Sequence, residues 1–181
     1  MKNVMTIYLA GVPASGKTTI FKKIRSRLMS DAETFEHGLC KGIRKGRFHM
    51  IGVFDGSTFE GTDRLSMAVI DDAISYIKRL QDEPGKSVVF LEGDRLFNER
   101  FIRETGASVI LIDADEKLLS LRHAIRGDKQ TDVFLKGRRT KIENMASKFG
   151  LRKVFNNTPR QSDIIAEFIC TRATQWLNLG K

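Results

Sequence analysis

Eight residues near the start of the chain have the types and the spacing that a polyphosphate-binding turn requires. The stretch Gly11-Val12-Pro13-Ala14-Ser15-Gly16-Lys17-Thr18, the phosphate loop, fits the pattern G-x-x-x-x-G-K-[ST]. Its glycines let backbone N–H groups approach phosphate oxygens, and a helix that begins near Gly16 directs its positive dipole end at them. We therefore expect Lys17 to contact the β and γ phosphates of ATP and Thr18 to bind Mg²⁺.

The surrounding sequence supports this interpretation of the phosphate loop. An apolar run at 4–10 predicts a buried strand before the loop, and apolar spacing over 19–29 predicts a helix after it. A glycine-rich turn without a ligand is the alternative, but it does not explain why lysine and threonine follow at once. The residues predicted here to bind the nucleotide are Gly11, Ala14, Ser15, Gly16, Lys17, Thr18 and Thr19.

Length and composition are those of an ordinary globular protein. The chain has 181 residues, 41% hydrophobic and 29% charged, so we expect one domain over residues 1–181. No apolar run reaches the length of a membrane span, and we infer no obligate protein partner. Cys40 and Cys170 stand far apart and the histidines lack ligand spacing, which argues against disulfides or zinc and favours the cytoplasm.

The charge of the chain is unevenly distributed. The net charge is +9, with 10 Lys and Arg against 3 Asp and Glu in 1–50, 7 against 14 in 51–116, and 14 against 5 in 117–181. An acidic middle between basic flanks suggests carboxylates near a catalytic centre and cations on surfaces that meet phosphate. A polyanionic partner and a merely basic protein remain equally open on this evidence.

Helices and strands are predicted to alternate after the phosphate loop. Alternating apolar and basic residues over 35–54 predict a β-hairpin that turns near Lys45-Gly46. Further predicted strands are 87–91, 108–112 and 153–155, and further predicted helices are 65–80, 116–126, 134–149 and 162–177. This order predicts an α/β fold with a mainly parallel five-stranded sheet and helices on both faces, and the carboxyl ends of its strands should gather at one crevice.

Three carboxylates end predicted strands and are expected in that crevice. Glu92 and Asp94 follow an apolar strand, at the position where a carboxylate that holds Mg²⁺, directly or through water, is expected. Asp55 ends the hairpin and is the predicted catalytic base, which accepts the proton of the attacking hydroxyl. An acidic turn at 92–94 and a solvated aspartate at 55 are the alternatives.

A loop rich in hydroxyl and charged side chains follows Asp55. Thr62 or Asp63 is suited to cap the next helix. Capping does not account for Arg64, which we expect to contact the acceptor substrate together with Arg95. The predicted substrate-binding residues are Asp55, Thr62, Asp63, Arg64 and Arg95.

Arginines suited to stabilising a transferring phosphoryl group cluster in the basic carboxyl-terminal third. Arg122 and Arg126 lie four apart on a predicted helix, and with Arg138-Arg139 they belong to a lid over about residues 122–141. Such arginines can close over ATP and neutralise the developing charge. A solvated helix face is the alternative for the later pair, so we assign catalytic roles to Lys17, Arg122 and Arg126.

The whole chain resembles the nucleoside-monophosphate-kinase branch of the P-loop proteins, which includes thymidylate, deoxynucleoside and shikimate-type kinases. This resemblance implies a three-layer P-loop NTPase fold, a substrate-binding acid at Asp55 and an acid with a nearby arginine at 92–95. It also implies an arginine-bearing lid and an adenine-receiving loop at 154–159, which makes Asn157 a predicted nucleotide contact.

More narrowly, three stretches resemble bacteriophage P-loop kinases that phosphorylate 5-hydroxymethyluracil within DNA during base hypermodification. They are Gly61-Thr62-Asp63-Arg64-Leu65-Ser66-Met67, Glu92-Gly93-Asp94-Arg95-Leu96 and Phe134-Leu135-Lys136-Gly137-Arg138. The resemblance implies DNA with a modified pyrimidine as partner and, for a phage protein, the host cytoplasm as location. A basic hairpin carrying Lys41, Arg44, Lys45 and Arg47 agrees with a DNA partner. A base flipped into the crevice could stack on Phe54 or Phe59.

Three hypotheses follow for the function. The first is an ATP-dependent kinase that acts on the hydroxymethyl group of 5-hydroxymethyluracil in DNA. The second is a kinase of a free nucleotide or another small alcohol, which should bind DNA weakly and with little dependence on salt. The third is an ATP-gated DNA-binding module that phosphorylates no acceptor.

Overall fold

The computed structural model describes residues 3–56, 60–126 and 131–179, apart from the side chains of Arg126 and Asp132. Its strands are Val4–Gly11 (β1), Glu33–His37 (β2), Cys40–Lys45 (β3), Phe48–Ile51 (β4), Ser87–Glu92 (β5), Ser108–Asp113 (β6) and Lys153–Phe155 (β7). Its helices are Lys17–Leu28 (α1), Ile70–Asp82 (α2), Glu99–Thr105 (α3), Glu116–Arg126 (α4), Asp132–Phe149 (α5) and Pro159–Asn178 (α6). The chain thus has the predicted α/β fold.

The strands form one mostly parallel sheet in the order β2-β3-β4-β5-β1-β6-β7. Strands β4, β5, β1, β6 and β7 run parallel, whereas β3 pairs antiparallel with both of its neighbours. The prediction of five strands was wrong, because the stretch predicted as a two-stranded hairpin forms three strands, β2, β3 and β4, and all three lie in the sheet. In the structure β4 pairs with β5, so β3 and β2 extend the same sheet to seven strands.

The central strands are apolar on both faces because helices cover both sides of the sheet. In β5, Val88 and Phe90 belong to a core shared with α1 and α6. Val89 and Leu91 belong to a second core on the opposite face, with α2 and α3. All six residues of β5 are buried, which explains why its sequence is a continuous apolar run rather than an alternation.

One helix begins later than predicted, and another was not predicted at all. The helix predicted from residue 65 begins at Ile70, because a short 3-10 turn at Thr62–Arg64 comes first and the backbone at Leu65 is extended. Helix α3 was not predicted. It has only seven residues, too few for a periodic pattern, and it is started by Asn98, whose side chain accepts a hydrogen bond from the N–H of Phe101 at 2.9 Å.

The carboxyl ends of the parallel strands form one edge of the sheet and their amino ends form the opposite edge, and the two edges have different roles. The carboxyl ends of β1, β5, β6 and β7 bring the phosphate loop, Glu92–Arg95 and 156–158 to one edge. The hairpin turn between β3 and β4 lies at the opposite edge, because Phe48 pairs with Val88 at the start of β5. Among the described helices, none combines the length and apolar character needed to cross a bilayer.

Candidate active site

The phosphate loop forms the floor of a cleft of about 340 Å³ at the carboxyl edge of the sheet. The residues that line this cleft are Gly11, Pro13, Ala14, Gly16, Lys17, Thr18, Glu60, Asp63, Glu92, Asp94, Phe134, Arg138 and Ile142. Its walls therefore come from the loop after β1, the turns before α2 and after β5, and helix α5.

The backbone of the phosphate loop has the conformation of an anion cradle. Ala14 and Gly16 have positive φ angles of 62° and 90°, and no side chain caps the start of α1 at Gly16. Orphan N–H groups at a helix start are the donors that phosphate oxygens accept from. At Gly11 a Cβ atom would lie 2.0 Å from the carbonyl oxygen of Ile112, so only glycine lets β1 and β6 approach here.

The polar side chains of the loop fit a triphosphate complexed with Mg²⁺. The Lys17 ammonium donates hydrogen bonds to the carbonyl oxygens of Gly11 and Val12, at 2.8 and 2.9 Å, on the cleft floor. The Thr18 hydroxyl donates to Oε1 of Glu92 at 3.3 Å. Glu92 is 3% exposed, so a hydroxyl and a buried carboxylate oxygen meet beside the cradle. Oxygen ligands of this kind suit Mg²⁺, which takes its remaining ligands from water and phosphate.

A buried asparagine that the sequence analysis missed holds the phosphate loop from behind. Asn156 is fully buried; its amide donates to the carbonyl oxygen of Ser15 at 3.0 Å and accepts from the Ser162 hydroxyl at 2.7 Å. Its position directly after β7 was the available signal, since polar residues at carboxyl strand ends point to such sites.

Arg122 supports the same part of the loop. Its guanidinium donates to the carbonyl oxygens of Ala14, at 3.2 Å, and Asn156, at 3.0 Å. The structure therefore brings Arg122 to the nucleotide side of the site, in contact with the loop backbone. The side chain of Arg126 lies outside the described residues, so its catalytic role stays a prediction.

Two predicted nucleotide contacts lie at the edge of this network. Asn157 accepts a hydrogen bond from the N–H of Asp115 at 2.9 Å, and its own N–H donates to Oε1 of Gln161 at 2.7 Å. Thr19 is exposed on α1. The roles of Asn157 and Thr19 in binding ATP stay predictions.

Asp63 joins the turn before α2 to the turn after β5. One of its carboxylate oxygens accepts from the N–H groups of Asp94, at 2.7 Å, and Arg95, at 2.9 Å. The Arg95 guanidinium donates back to the Asp63 carbonyl oxygen at 2.7 Å. Thr62 is buried, and its hydroxyl donates to the Glu92 carbonyl oxygen at 2.7 Å. These five residues form one unit on one side of the cleft.

Tyr8 supports this unit from below. Its buried hydroxyl donates to the carbonyl oxygen of Gly93 at 3.1 Å. Burial, with the charges of Asp63 and Glu92, raises the pKa of Tyr8 well above its usual range, so the hydroxyl stays protonated as a donor.

Asp55 and Arg64 form an ion pair at the rim. The guanidinium donates to Oδ2 of Asp55 at 2.5 Å, and both side chains are partly exposed. Glu60, which the sequence analysis did not select, lines the cleft and is 9% exposed. It is held by Arg25 of α1, whose guanidinium donates to both carboxylate oxygens at 3.0 and 3.1 Å.

Helix α5 lies over the cleft and contacts Asp94. Arg138 pairs with one carboxylate oxygen of Asp94, and the Lys141 ammonium donates to the other at 2.9 Å. Burial, with the charge of Arg138, lowers the pKa of Lys141. Arg138 is therefore a cleft residue, whereas Arg139 pairs with Glu116 at 2.5 Å.

The hairpin cations do not face the cleft. Lys41 and Arg44 pair with Glu36 and Glu33, at 2.8 and 3.0 Å. Lys45 and Arg47 flank the turn at the opposite edge of the sheet. Their contacts are the Ser30 hydroxyl, the Pro84 carbonyl and Glu83.

Known proteins that resemble this chain include two solved structures and one protein family. Among solved structures, the YorR protein of Bacillus subtilis in complex with phosphorylated GDP is 18% identical, with a TM-score of 0.53 over 94% of this chain and 96% of that chain. An unliganded sugar kinase of Janibacter sp. HTCC2649 is 14% identical, with a TM-score of 0.48 over 98% and 96%. No curated protein matches. The family model described as P-loop Nucleotide Kinase3 matches residues 2–160, so the chain belongs to this family of P-loop kinases.

Proposed function

We propose that this protein is an ATP-dependent kinase that phosphorylates the hydroxymethyl group of 5-hydroxymethyluracil in DNA. Family membership makes it a P-loop kinase. The identity of the donor, the role of Mg²⁺ and the identity of the acceptor are the parts that we propose.

The phosphate loop supports ATP as the donor. The cradle at Ala14 to Gly16 supplies backbone donors, and Lys17 supplies a cation beside them. When bound, Mg²⁺ neutralises charge on the β and γ oxygens, and Thr18 and Glu92 are the residues that would hold it. The buried Ser15 hydroxyl has no hydrogen-bond partner among the described residues, which is consistent with a ligand oxygen at this point.

The observation that carries the acceptor proposal is the meeting of three stretches around one cleft. Residues 61–67, 92–96 and 134–138 carry the resemblance to the 5-hydroxymethyluracil DNA kinases. Asp63 binds the N–H groups of residues 94 and 95, and Asp94 pairs with Arg138. Since the likeness is concentrated on the walls of the cleft and not on the phosphate loop that forms its floor, we take it to bear on the acceptor rather than on ATP.

Asp55 and Arg138 are the residues that we propose to act in phosphoryl transfer. The acceptor hydroxyl oxygen bonds to the γ-phosphorus, the bond from that phosphorus to the β–γ bridging oxygen breaks, and ADP leaves. The hydroxyl proton passes to Asp55 at the rim. Arg138 lies in the cleft, where it can turn from Asp94 to the transferring group.

A DNA partner would have to meet the protein at the rim of the cleft. The hairpin turn at 45–48 is on the opposite edge of the sheet, and the hairpin cations have partners of their own. Exposed cations near the cleft include Arg64 beside Asp55 and Lys136 on α5. We therefore propose that Arg64 and Lys136, and not the hairpin cations, contact the DNA.

A free nucleotide as acceptor is the second candidate. It is favoured by the family description, which names nucleotide kinases, and by YorR, which was crystallised with phosphorylated GDP. Such an enzyme would transfer phosphate to a mononucleotide and would bind DNA with little dependence on salt.

The deciding experiment uses ATP labelled at the γ position, Mg²⁺ and matched DNAs that contain thymine or 5-hydroxymethyluracil. Digestion to nucleosides then shows whether label has reached the modified base. Label on that base alone supports the proposal. Label only on an added free nucleotide supports the second candidate, and label released only as phosphate supports an ATP-gated binding module.

A matched pair of variants shows that the signal comes from this site. Lys17→Ala removes the cation of the phosphate loop and should abolish transfer and the calorimetric heat of ATP binding. Lys22→Ala removes an exposed lysine from the same helix, outside the cleft, and should leave both unchanged. Normal ATP binding by Lys17→Ala would contradict the assigned donor site.

A further inference from the structure

A large aromatic side chain lies open to solvent inside the cleft. Phe134 lines the cleft with the phosphate loop, yet it is 41% exposed. It is in the first turn of α5, where its N–H donates to the Thr131 hydroxyl at 3.3 Å. Exposure of a phenylalanine ring to solvent costs hydrophobic free energy unless a ligand covers the ring.

The ring of Phe134 is held in place by a neighbour on the same helix. The guanidinium carbon of Arg138 lies 4.9 Å from the ring centroid, one helical turn further on, and Arg138 also pairs with Asp94. The ring is thus linked through Arg138 to the wall formed by the turn after β5. A preorganised aromatic surface binds a flat ligand at a lower entropic cost than a mobile one.

Phe134 belongs to the acceptor half of the site. In the sheet, β4 and β5 lie on one side of β1, and β6 and β7 lie on the other. Asn156, Asn157 and Arg122 are on the β6 and β7 side, and none of them lines the cleft. The cleft that contains Phe134 is lined, above the phosphate loop, by Glu60, Asp63, Glu92 and Asp94.

Phe54, one of the two aromatics predicted to stack on a base, is committed to packing. Its ring stacks on Phe21 with centroids 5.9 Å apart and an interplanar angle of 22°. The guanidinium of Arg25 lies 5.4 Å from the Phe54 ring centroid. Phe59, the other aromatic, lies outside the described residues.

We propose that Phe134 is the surface on which the nucleobase of the acceptor stacks. The inference rests on the proposed function and narrows its acceptor to a molecule that carries a planar base, whether in DNA or free. A base over the ring would lie between α5 and the acidic wall, close to the γ-phosphate position above Lys17 and Thr18. An alcohol without a ring would gain nothing from Phe134.

The kinetic test compares Phe134→Ala with Phe134→Tyr, which keeps the ring. Loss of one base–aromatic stack corresponds to a rise in KM of about 5-fold to about 150-fold. We expect this rise for the acceptor with Phe134→Ala alone, and unchanged KM for ATP. Phe168→Ala removes a ring that is 60% exposed on α6, away from the cleft, and should behave as the wild type. An unchanged acceptor KM in Phe134→Ala would overturn the inference.

A binding test separates this inference from the proposed function. Trp176 is the only tryptophan, so Phe134→Trp in a Trp176→Phe background gives a single fluorescent reporter in the cleft. With a non-hydrolysable ATP analogue present, thymidine 5′-monophosphate should quench the reporter and deoxyribose 5-phosphate should not. Quenching here, with no label on any DNA or free nucleotide in the labelled-ATP experiment, would refute the function and keep the stacking site. Transfer without quenching would refute the stacking site and keep the function.

Discussion

The hydroxyl oxygen of Thr18 lies 3.3 Å from Oε1 of Glu92, where the neighbouring strands β1 and β5 end. Asp94, only two residues further on, is directed elsewhere, since its two carboxylate oxygens contact Arg138 and Lys141. The sequence left open which acid holds Mg²⁺, and this geometry favours Glu92.

Glu92→Gln should therefore disable metal-dependent turnover. We expect kcat to fall by about 100-fold or more, because the remaining amide oxygen is a poor substitute for a carboxylate beside Thr18. The half-saturating Mg²⁺ concentration should rise as well. Steady-state kinetics over a series of Mg²⁺ concentrations measures both quantities.

Asp94→Asn is the matched control, because it neutralises a nearby acid that pairs with α5. Its Mg²⁺ dependence should match that of the wild type, while its acceptor KM changes as Arg138 loses its partner. If Asp94→Asn shifts the Mg²⁺ dependence of turnover and Glu92→Gln does not, Asp94 rather than Glu92 holds Mg²⁺.

Asn156→Ala should weaken both the fold and ATP binding. The change leaves the Ser15 carbonyl and the Ser162 hydroxyl without their buried partner, which should cost about 3 kcal/mol of unfolding free energy. The affinity for ATP should fall by about tenfold, since the loop loses a constraint on its shape. Urea unfolding and calorimetry measure the two effects.

Asn157→Ala tests whether the effect belongs to the buried residue. Asn157 is only partly buried and accepts one hydrogen bond, from Asp115, so its loss should cost no more than about 1 kcal/mol. A larger loss of ATP affinity in Asn157→Ala than in Asn156→Ala would instead make Asn157 the main nucleotide contact of this loop.

Local patterns were sufficient for much of the fold. The helix 116–126 and the strand 153–155 have the predicted bounds. The helix was predictable because its apolar periodicity and the breaker after it are local in sequence. The number of strands could not be obtained in this way. Whether β4 pairs with β5 depends on partners 40 residues apart, and no single stretch carries that information.

The candidate site likewise contains residues that a local sequence pattern locates and residues that it does not. The phosphate loop is contiguous, so its pattern alone locates it. Asn156, Glu60 and Phe134 reach the site from separate elements, and each has an ordinary polar or apolar neighbourhood in sequence. Hence the loop and the cleft acids Asp63, Glu92 and Asp94 were selected from sequence, whereas Asn156, Glu60 and Phe134 were not.

Asp55→Asn tests the predicted base. The amide cannot accept the hydroxyl proton, so kcat should fall by about 100-fold, while ATP affinity stays near the wild-type value. Asp71→Asn is the control and should have full activity. It neutralises an exposed acid of α2 that pairs with Arg100 of α3. Fixed-time assays with labelled ATP, quenched at several intervals, measure kcat.

Glu60 is the competing carboxylate, because it lines the cleft whereas Asp55 lies at the rim beside Arg64. Full activity in Asp55→Asn, with loss of activity in Glu60→Gln, would transfer the role of base to Glu60. Loss of stability in Glu60→Gln is expected in either case, since Arg25 would lose a nearly buried partner.

A buried histidine should make the stability of the protein depend on pH. His49 of β4 is 5% exposed, and its Nδ1 lies 2.8 Å from the Tyr76 hydroxyl. Burial, reinforced by the charges of Arg44, Arg47 and Arg79, lowers the pKa of His49 to about 4. The folded protein therefore holds His49 neutral at pH values where an unfolded chain binds a proton.

Stability should be lost as the pH falls from about 6.5, the unfolded pKa of histidine, towards 4, because only the unfolded state gains a proton in that window. The loss from His49 should be about 2 kcal/mol between pH 7 and pH 5 and should stop growing below pH 4. The His49→Asn variant has no titrating group at this position, and its amide can still bond to Tyr76. From pH 7 to pH 5 the unfolding free energy of this variant should therefore fall by about 2 kcal/mol less than that of the wild type. Urea unfolding of both proteins at the two pH values gives the difference, and equal pH dependence in the two would show that His49 is protonated in the folded state.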